Sequence, residues 1–594
     1  MKRNEVERRY TWNTDLIYPS LEAFEADFAK AKALITALSE KKEEMLVGAK
    51  ELYQTLELYT QCELLISKLY EYAHLNSDTD TSDNTFLALS GKCEDLFSEL
   101  SAATYFISPQ LIALEQATLD RCFAEYPALE AYRRNIETER RYQPHMLDDS
   151  GEKLMAQMQM CLGAEEGARD VFSYADLSFG DIKDEAGNTV PLNDSNYIVY
   201  MFSDNREVRK SAFETLYRTY GQFANTYAAL LNAYVKEKTT LAKIRKFPSS
   251  LEASVFADEV PSSIYHNLIN TVERHMDVIF DYYSLKKQAL GVDKLHMYDI
   301  YAPLVGEMNE TYSYETAVDT VLDALKVLGE EYVSVLEDGI RNKRWIDVFP
   351  TENKKGGAYS AGCYGVQPYI LLNYNGTLND ISTLAHEAGH SMHTYYSNRN
   401  NTPQQANYTI FVAEVASTVN EILLAHKMLR DSDNAAQKKY ILNELMETYK
   451  GTLYRQTMFA AFEKEMHALC EQGEILTADL LCKKYEAVNQ KYFGDTVVLD
   501  AQIRHEWERI PHFYYNFYVY KYATCICAAS AIVKRIESEG EAYVKKYIDF
   551  LSCGGSKSPL ESLKVAEIDM ESEEVVTTAI EDFKTVIEQF KALS

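Results

Sequence analysis

Breaks are scarce in this sequence: 13 Pro and 24 Gly are spread over 594 residues. Proline and glycine are the residues that end helices and shape turns, so the stretches between them are free to stay helical. Those stretches carry apolar residues at helical spacing, as in the run Leu52, Leu56, Tyr59, Cys62 and Leu65. The pattern runs through 21–46, 49–76, 83–104 and 108–140, which predicts an antiparallel helical array. Tyr10 to Ser20 holds Trp12 and Pro19 and reads as an extended lead-in, with Ser20 capping the first helix. Helical pattern resumes over 206–247 and 261–290 and dominates from 380 onward. Gly554-Gly555-Ser556 before Ser558-Pro559 marks a loop between the last helices. The expected fold class is mainly α, with neither an internal repeat nor a low-complexity tract.

Three stretches depart from that pattern. Residues 172–195 alternate and carry a turn cluster at Asp184-Glu185-Ala186-Gly187-Asn188, which predicts a small β-hairpin. The text is strand-like again over 295–310 and 344–376. Within the latter, PYILLNY at 368–374 is a candidate strand ending at the Asn375-Gly376 turn. As an exposed edge, such a strand could pair with the backbone of an extended peptide. Nearby Gly356 and Gly357 could admit a substrate closely.

The net charge is -30, from 60 Lys+Arg against 90 Asp+Glu, which argues against a nucleic-acid or anionic-membrane partner. Hydrophobic residues at 46% and charged residues at 25% are ordinary for a globular protein. The 10 Cys are scattered without CxxC spacing, and most lie in apolar helical stretches, so they read as small buried residues in a reducing compartment. The first residues, MKRNEVERRYTWNTDL, lack the apolar core of a signal peptide, and no apolar run is long enough for a membrane span. The expectation is a cytoplasmic protein, its oligomeric state undetermined.

Residues 386–390 read His-Glu-Ala-Gly-His. On a helix, positions i and i+4 lie about 40° apart around the axis and about 6 Å along it, so both imidazoles can reach one ion. Zinc suits such ligands. Glu387, on the neighbouring side, could accept a proton from a metal-polarised water attacking a peptide carbonyl and pass it to the leaving amine. Asp380 and Ser382 offer capping chemistry before that helix. A catalytic site needs a third protein ligand and an open fourth position. The next helical stretch, 411–426, carries Glu414, 24 residues after His390, and Glu421 two turns further on. Glu421 could orient a ligand imidazole, and Asp380 is a weaker candidate for that task. His393, three residues past His390, drifts off the metal-facing line and reads as packing or as support behind the ligands.

These residues give the chain a resemblance to oligoendopeptidase F, within the thimet oligopeptidase-like zinc peptidases. It rests on Gly357-Ala358-Tyr359-Ser360, PYILLNY, TLAHEAGHSMHTYYS at 383–397 and FVAEVASTVNE at 411–421. TWNTDLIYPSLEAFEADF at 11–28 and FLSCGGSKSPLESLKVAEID at 550–569 resemble the family's opening and closing segments. The resemblance implies a largely helical, two-lobed clamshell with a deep central channel, a small β-sheet beside the zinc helix and one zinc ion. It implies His386, His390 and Glu414 as ligands, Glu387 as base, and short peptides as substrates. It also implies that a His and Tyr residues of the aromatic block WERIPHFYYNFYVYKYA, 507–523, hold the transition state; His512, Tyr515 and Tyr518 are the best match, with His505, Tyr514 and Tyr522 as rivals. Since single cores stop growing near about 250–300 residues, more than one lobe is expected. The expected division is an N-terminal helical lobe, 1–200, and a metallopeptidase domain, 201–594. The lead expectation is an endopeptidase; the alternatives are a zinc carboxypeptidase or dipeptidyl carboxypeptidase, and a non-catalytic peptide-binding scaffold.

Overall fold

The computed structural model describes residues 1–306 and 310–593. The chain is mainly helical, and its described strands are seven short ones: β1 (Asp181–Lys183), β2 (Thr189–Pro191), β3 (Leu295–His296), β4 (Ile346–Asp347), β5 (Tyr359–Ala361), β6 (Tyr369–Leu371) and β7 (Val497–Val498). It divides into two compact units, each built from three chain segments. Unit 1 takes Met1–Pro144, Asn309–Lys427 and Ile532–Ile568; unit 2 takes His145–Met308, Met428–Ala531 and Asp569–Ser594.

Unit 1 opens with three long helices, α1 (Leu21–Ser39), α2 (Ala49–Thr79) and α3 (Asn84–Thr104). Ser20 caps α1 through its side chain, which accepts from the Ala23 amide, as expected. The lead-in before it is not purely extended: short 3-10 turns occupy Arg8–Tyr10 and Thr14–Leu16. Phe24 and Ile35 of α1, Ile66 and Leu69 of α2, and Leu96 of α3 share one core with Trp12 and with Tyr369 and Leu371 of β6. That core fixes the small sheet against the first helices. The Trp12 and Tyr369 rings meet edge to face, 6.0 Å apart, and the Tyr369 hydroxyl donates to the Asn13 carbonyl.

Two helical expectations are corrected. The first helix ends at Ser39 rather than 46. The stretch 108–140 is several pieces, broken at Leu114-Glu115 and at Pro127, whose missing N–H cannot continue a helix.

The sheet of unit 1 has the order β4-β6-β5, parallel between β4 and β6 and antiparallel between β5 and β6. PYILLNY is therefore its central strand, not an edge: Tyr369, Ile370 and Leu371 are fully buried, and Ile370 and Leu371 are paired on both sides. The edge is β5. Lys354 pins the sheet, its buried ammonium donating to the carbonyls of Phe349, Asp347 and Leu372 and pairing with Asp347 at 2.8 Å. Gly376, at φ +88°, makes the expected turn after β6.

In unit 2 the predicted hairpin is present as β1 and β2, with Ile182 opposite Val190. It is shorter than expected, because Phe172–Asp176 is a π-helical turn rather than strand. Of the strand-like stretch 295–310, only β3 pairs, in parallel with β7, and Met297–Asp299 is a 3-10 turn; 307–309 lie outside the described residues. All ten cysteines are free thiols and seven are buried, as expected.

Candidate metal centre

The motif sits on the helix Leu378–Asn400. Its N-cap is Thr377, whose hydroxyl accepts from the Asp380 amide. Asp380 returns the bond to the Thr377 amide at 2.8 Å and also takes the Asn375 amide at 3.0 Å. Asp380 is thus neither the cap nor a partner of an imidazole: its carboxylate is used up closing the first turn. The helix is largely buried, packed on the helices Tyr314–Ala324 and Glu541–Leu551 and on β5 and β6, and a second helix, Ile410–Asp431, crosses it closely. Gly389 makes that crossing possible, since a Cβ there would stand 2.6 Å from the Ala416 carbonyl oxygen and the Ser417 Cα. Asn420, fully buried on the second helix, locks the register by donating to the Ala385 carbonyl at 3.1 Å, one residue before His386.

This packing brings three donor atoms together. His386 Nε2 lies 3.1 Å from His390 Nε2 and 3.4 Å from Glu414 Oε2, and His390 Nε2 lies 3.3 Å from the same oxygen. Ligands about 2.0–2.1 Å from one ion at tetrahedral angles are separated by about 3.3–3.4 Å. The triangle therefore has the size that a zinc ion bound at its apex requires. The donor types agree as well. His386 Nδ1 is hydrogen-bonded to Glu421, so Nε2 is the nitrogen that faces the triangle. Ser417 donates to Glu414 Oε2 at 3.0 Å and fixes that carboxylate.

The electrostatics favour a cation at this point. Burial opposes charge on His386, yet the hydrogen bond and charge of Glu421, with Glu387 and Glu414, outweigh it and raise the imidazole to about 9. Burial also opposes charge on Glu414, but the hydrogen bond and charge of His390 and the charge of His386 hold it down to about 2. Glu387 stands apart. It is 6% exposed, and burial raises its pKa against the pull of His386 and His390. Its Oε2 is buried with no hydrogen-bond partner.

A cavity of about 580 Å³ opens beside these residues. One wall is Ala358 to Gly362, which includes the edge strand β5; the other carries His386, Glu387, His390 and Glu414. Ser360 of β5 and Ser391 of the motif helix share a hydrogen bond of 2.8 Å that ties the two walls. Gly356 and Gly357 meet no protein atom within 4 Å of a hypothetical Cβ, and Gly357 has a φ of +81°, a backbone conformation that favours glycine. His393 packs, the first of its two expected roles: its ring stacks 3.7 Å from that of Tyr408, and burial pushes its pKa down to about 3.

Several contributors carried little sequence signal. Ser417 is three residues past Glu414 and could have been found from that spacing. Asn420, Ser391 and Tyr408 act through contacts distant in sequence. Tyr408 lines the cavity and shares a hydrogen bond of 3.0 Å with Thr394.

His512, Tyr515 and Tyr518 belong to unit 2, where they form one aromatic cluster with Tyr522. The His512 ring is 5.3 Å from that of Tyr515 and 6.4 Å from that of Tyr518. Burial and the Arg169 charge lower the His512 pKa, so the imidazole is neutral at neutral pH. Between them, Asn516 and Phe517 have φ of +46° and +60°, a left-handed pair that no glycine relieves. Glu463 accepts from the Phe517 amide at 2.6 Å and Ser254 donates to the Asn516 carbonyl at 2.7 Å, which holds this backbone. Of the rivals, Tyr514 is core, packed on Tyr234, while His505 lies against Glu508 and Cys482.

Comparison with known proteins fits this site. The model of peptidase family M3 matches residues 199–582, and that of the oligopeptidase F N-terminal region matches 110–179. Oligopeptidase PepF of Bacillus subtilis is 40% identical over 100% of this chain and 88% of its own length. A plasmid-encoded oligoendopeptidase F of Lactococcus lactis subsp. cremoris is 32% identical over 100% of this chain and 98% of its own. The crystal structure of oligoendopeptidase-F from Enterococcus faecium superposes with a TM-score of 0.76 at 33% identity, covering 96% of this chain and 99% of that one. A buried helix pair presenting two imidazoles and a carboxylate, together with these matches over the full length, makes the chain a member of peptidase family M3, of the oligoendopeptidase F kind, and so a peptide hydrolase.

Proposed function

We propose that the protein is a zinc-dependent endopeptidase that hydrolyses internal bonds of short peptides, with His386, His390 and Glu414 as ligands of one catalytic ion and Glu387 as general base. The observation that carries this reading is the triangle of donor atoms with sides of 3.1, 3.3 and 3.4 Å. When bound, zinc supplies Lewis-acid polarisation of the scissile carbonyl and makes water a competent nucleophile near neutral pH. The remaining work falls to the chain. Glu387 takes a proton from the attacking water on its unpartnered oxygen and returns it to the leaving nitrogen. Its raised pKa suits a group that must hold the proton between the two steps. Glu421 keeps His386 in the tautomer whose Nε2 faces the ion, and Ser417 holds Glu414.

The free edge of β5 offers backbone groups to an extended peptide, which reads little side-chain identity and supports broad specificity. His512, Tyr515 and Tyr518 are the proposed donors to the developing oxyanion, a neutral imidazole and phenols being apt for that task. The division at residue 200, with 201–594 as the catalytic part, belongs to the same proposal, as does a cytoplasmic location. No helix among the described residues is long and apolar enough to cross a membrane.

Peptides blocked at both ends test the reading. An endopeptidase cleaves them as well as their free counterparts, and a chelator abolishes the cleavage. Turnover confined to peptides with a free C-terminal carboxylate would instead mean a carboxypeptidase.

A further inference from the structure

Unit 2 holds a second convergence of metal-ligating side chains, one that the peptidase chemistry does not use. Cys482 comes from the helix Ala478–Phe493, His505 from the end of the 3-10 turn Ala501–His505, and Glu508 from the short helix Glu506–Arg509. One donor atom of each lies within 4.8 Å of the other two. His505 Nδ1 is 3.7 Å from Cys482 Sγ and 2.7 Å from Glu508 Oε1. Cys482 and Glu508 are 3% and 1% exposed, and the His505 side chain is partly exposed.

Three independent features go beyond proximity. The nitrogen–sulfur separation matches the edge of about 3.6 Å expected for an ion bound at about 2.05 Å to imidazole and about 2.3 Å to thiolate. Glu508 is left half satisfied: Oε1 meets His505, while Oε2 is buried with no hydrogen-bond partner, a costly state for a carboxylate that coordination would relieve. Finally, the ring is held by a cradle. A Cβ at Gly221, on the helix Arg206–Gln222, would stand 2.9 Å from His505 Nε2, so only glycine lets the imidazole sit there with Nδ1 turned toward the thiol and the carboxylate.

We propose that Cys482, His505 and Glu508 form a second zinc site, structural rather than catalytic, with solvent completing the coordination. A thiolate, a carboxylate and a neutral imidazole sum to two negative charges, which one divalent ion cancels in a buried setting. The mixed sulfur, nitrogen and oxygen donors suit zinc. Loading releases two protons to solvent, one from the Cys482 thiol and the one shared between His505 and Glu508. The nitrogen–oxygen contact opens from 2.7 Å toward about 3.3 Å as the ion replaces the shared proton. The bound ion ties the helix Ala478–Phe493 to the segment leading into His512.

Cobalt distinguishes this site from the histidine–glutamate site, because only a cysteine ligand gives a thiolate-to-cobalt charge-transfer band in the near ultraviolet. The full-length chain, stripped with chelator and reloaded with cobalt alone, is expected to show that band and to bind about two equivalents. Cys482→Ser should lose the band and about one equivalent. His386→Ala should lose the other equivalent and keep the band, so failure of either site is seen separately. Glu508→Gln, a milder change for folding, should weaken the cobalt affinity of the band-giving site by about 10-fold or more. Absence of the band in folded wild-type chain at saturating cobalt, or its persistence unchanged in Cys482→Ser, overturns the proposal.

Discussion

Glu387 is a carboxylate in a place where a carboxylate is expensive. It is 6% exposed, and its unpaired Oε2 forgoes a bond whose loss costs about 1–3 kcal/mol in a protein interior. A stability role does not explain such a group, and the proposed proton transfer to and from a reacting peptide would. Glu387→Gln removes the base and keeps the shape. It is expected to retain the metal, measured by metal analysis, while kcat falls by about 10²–10⁴-fold. That His386 and His390 meet is legible in the sequence because i and i+4 on a helix share a face, and that Glu421 lies on the same side as Glu414 because two turns return to it. Asp380 was misread for a physical reason. Capping chemistry was visible, but the Thr377 hydroxyl and the Asp380 carboxylate are reciprocal halves of one box, and composition alone did not say which residue led.

At the scale of elements, the site depends on how closely two helices cross, and Gly389 sets that distance. Gly389→Ala places a methyl 2.6 Å from the Ala416 carbonyl oxygen and should destabilise by about 1–3 kcal/mol while weakening metal affinity. Gly167→Ala, on a helix where a Cβ meets nothing within 4 Å, serves as the control and should leave metal affinity intact while keeping or slightly raising the thermal midpoint. The loop 515–518 makes a prediction about pH. Burial lifts the Glu463 pKa to about 8, whereas a glutamate in an unfolded chain titrates near about 4.3. The folded state therefore keeps the proton longer. Its contribution to stability is full below the unfolded pKa and is lost as pH rises through the folded one. Glu463→Gln keeps an acceptor for the Phe517 amide without the charge, so its thermal midpoint should exceed that of wild type by a margin that grows between pH 5.5 and pH 8.5. An equal margin at both pH values would contradict this. Sheet order is where sequence reading gave out. Strands of two or three residues carry too little pattern to rank, so an apolar run could be recognised as a strand without revealing that β5 outflanks it. Long helices such as α2 and α3 were readable within a few residues because many turns repeat one pattern.

For the whole molecule, the interleaving of the two units is the property that a linear reading cannot supply, since the chain returns to each of them after long excursions. The metal triangle lies entirely in unit 1 and the His512 cluster entirely in unit 2, and the family match at 199–582 spans segments of both. Composition says little about the site. A net charge of -30 disfavours polyanionic partners on general electrostatic grounds and says nothing about where a peptide bond is cut. The cysteine reading shows the same limit. Cys482 has no neighbour at metal-ligand spacing in the sequence, and only the fold brings it to His505 and Glu508. The central claim concerns one ion and three atoms, and anomalous diffraction at the zinc edge, from crystals of the chain grown with zinc, addresses it directly. The expected result is a peak about 2.0–2.2 Å from His386 Nε2, His390 Nε2 and a Glu414 carboxylate oxygen. A map with no peak within bonding distance of those three atoms would contradict it.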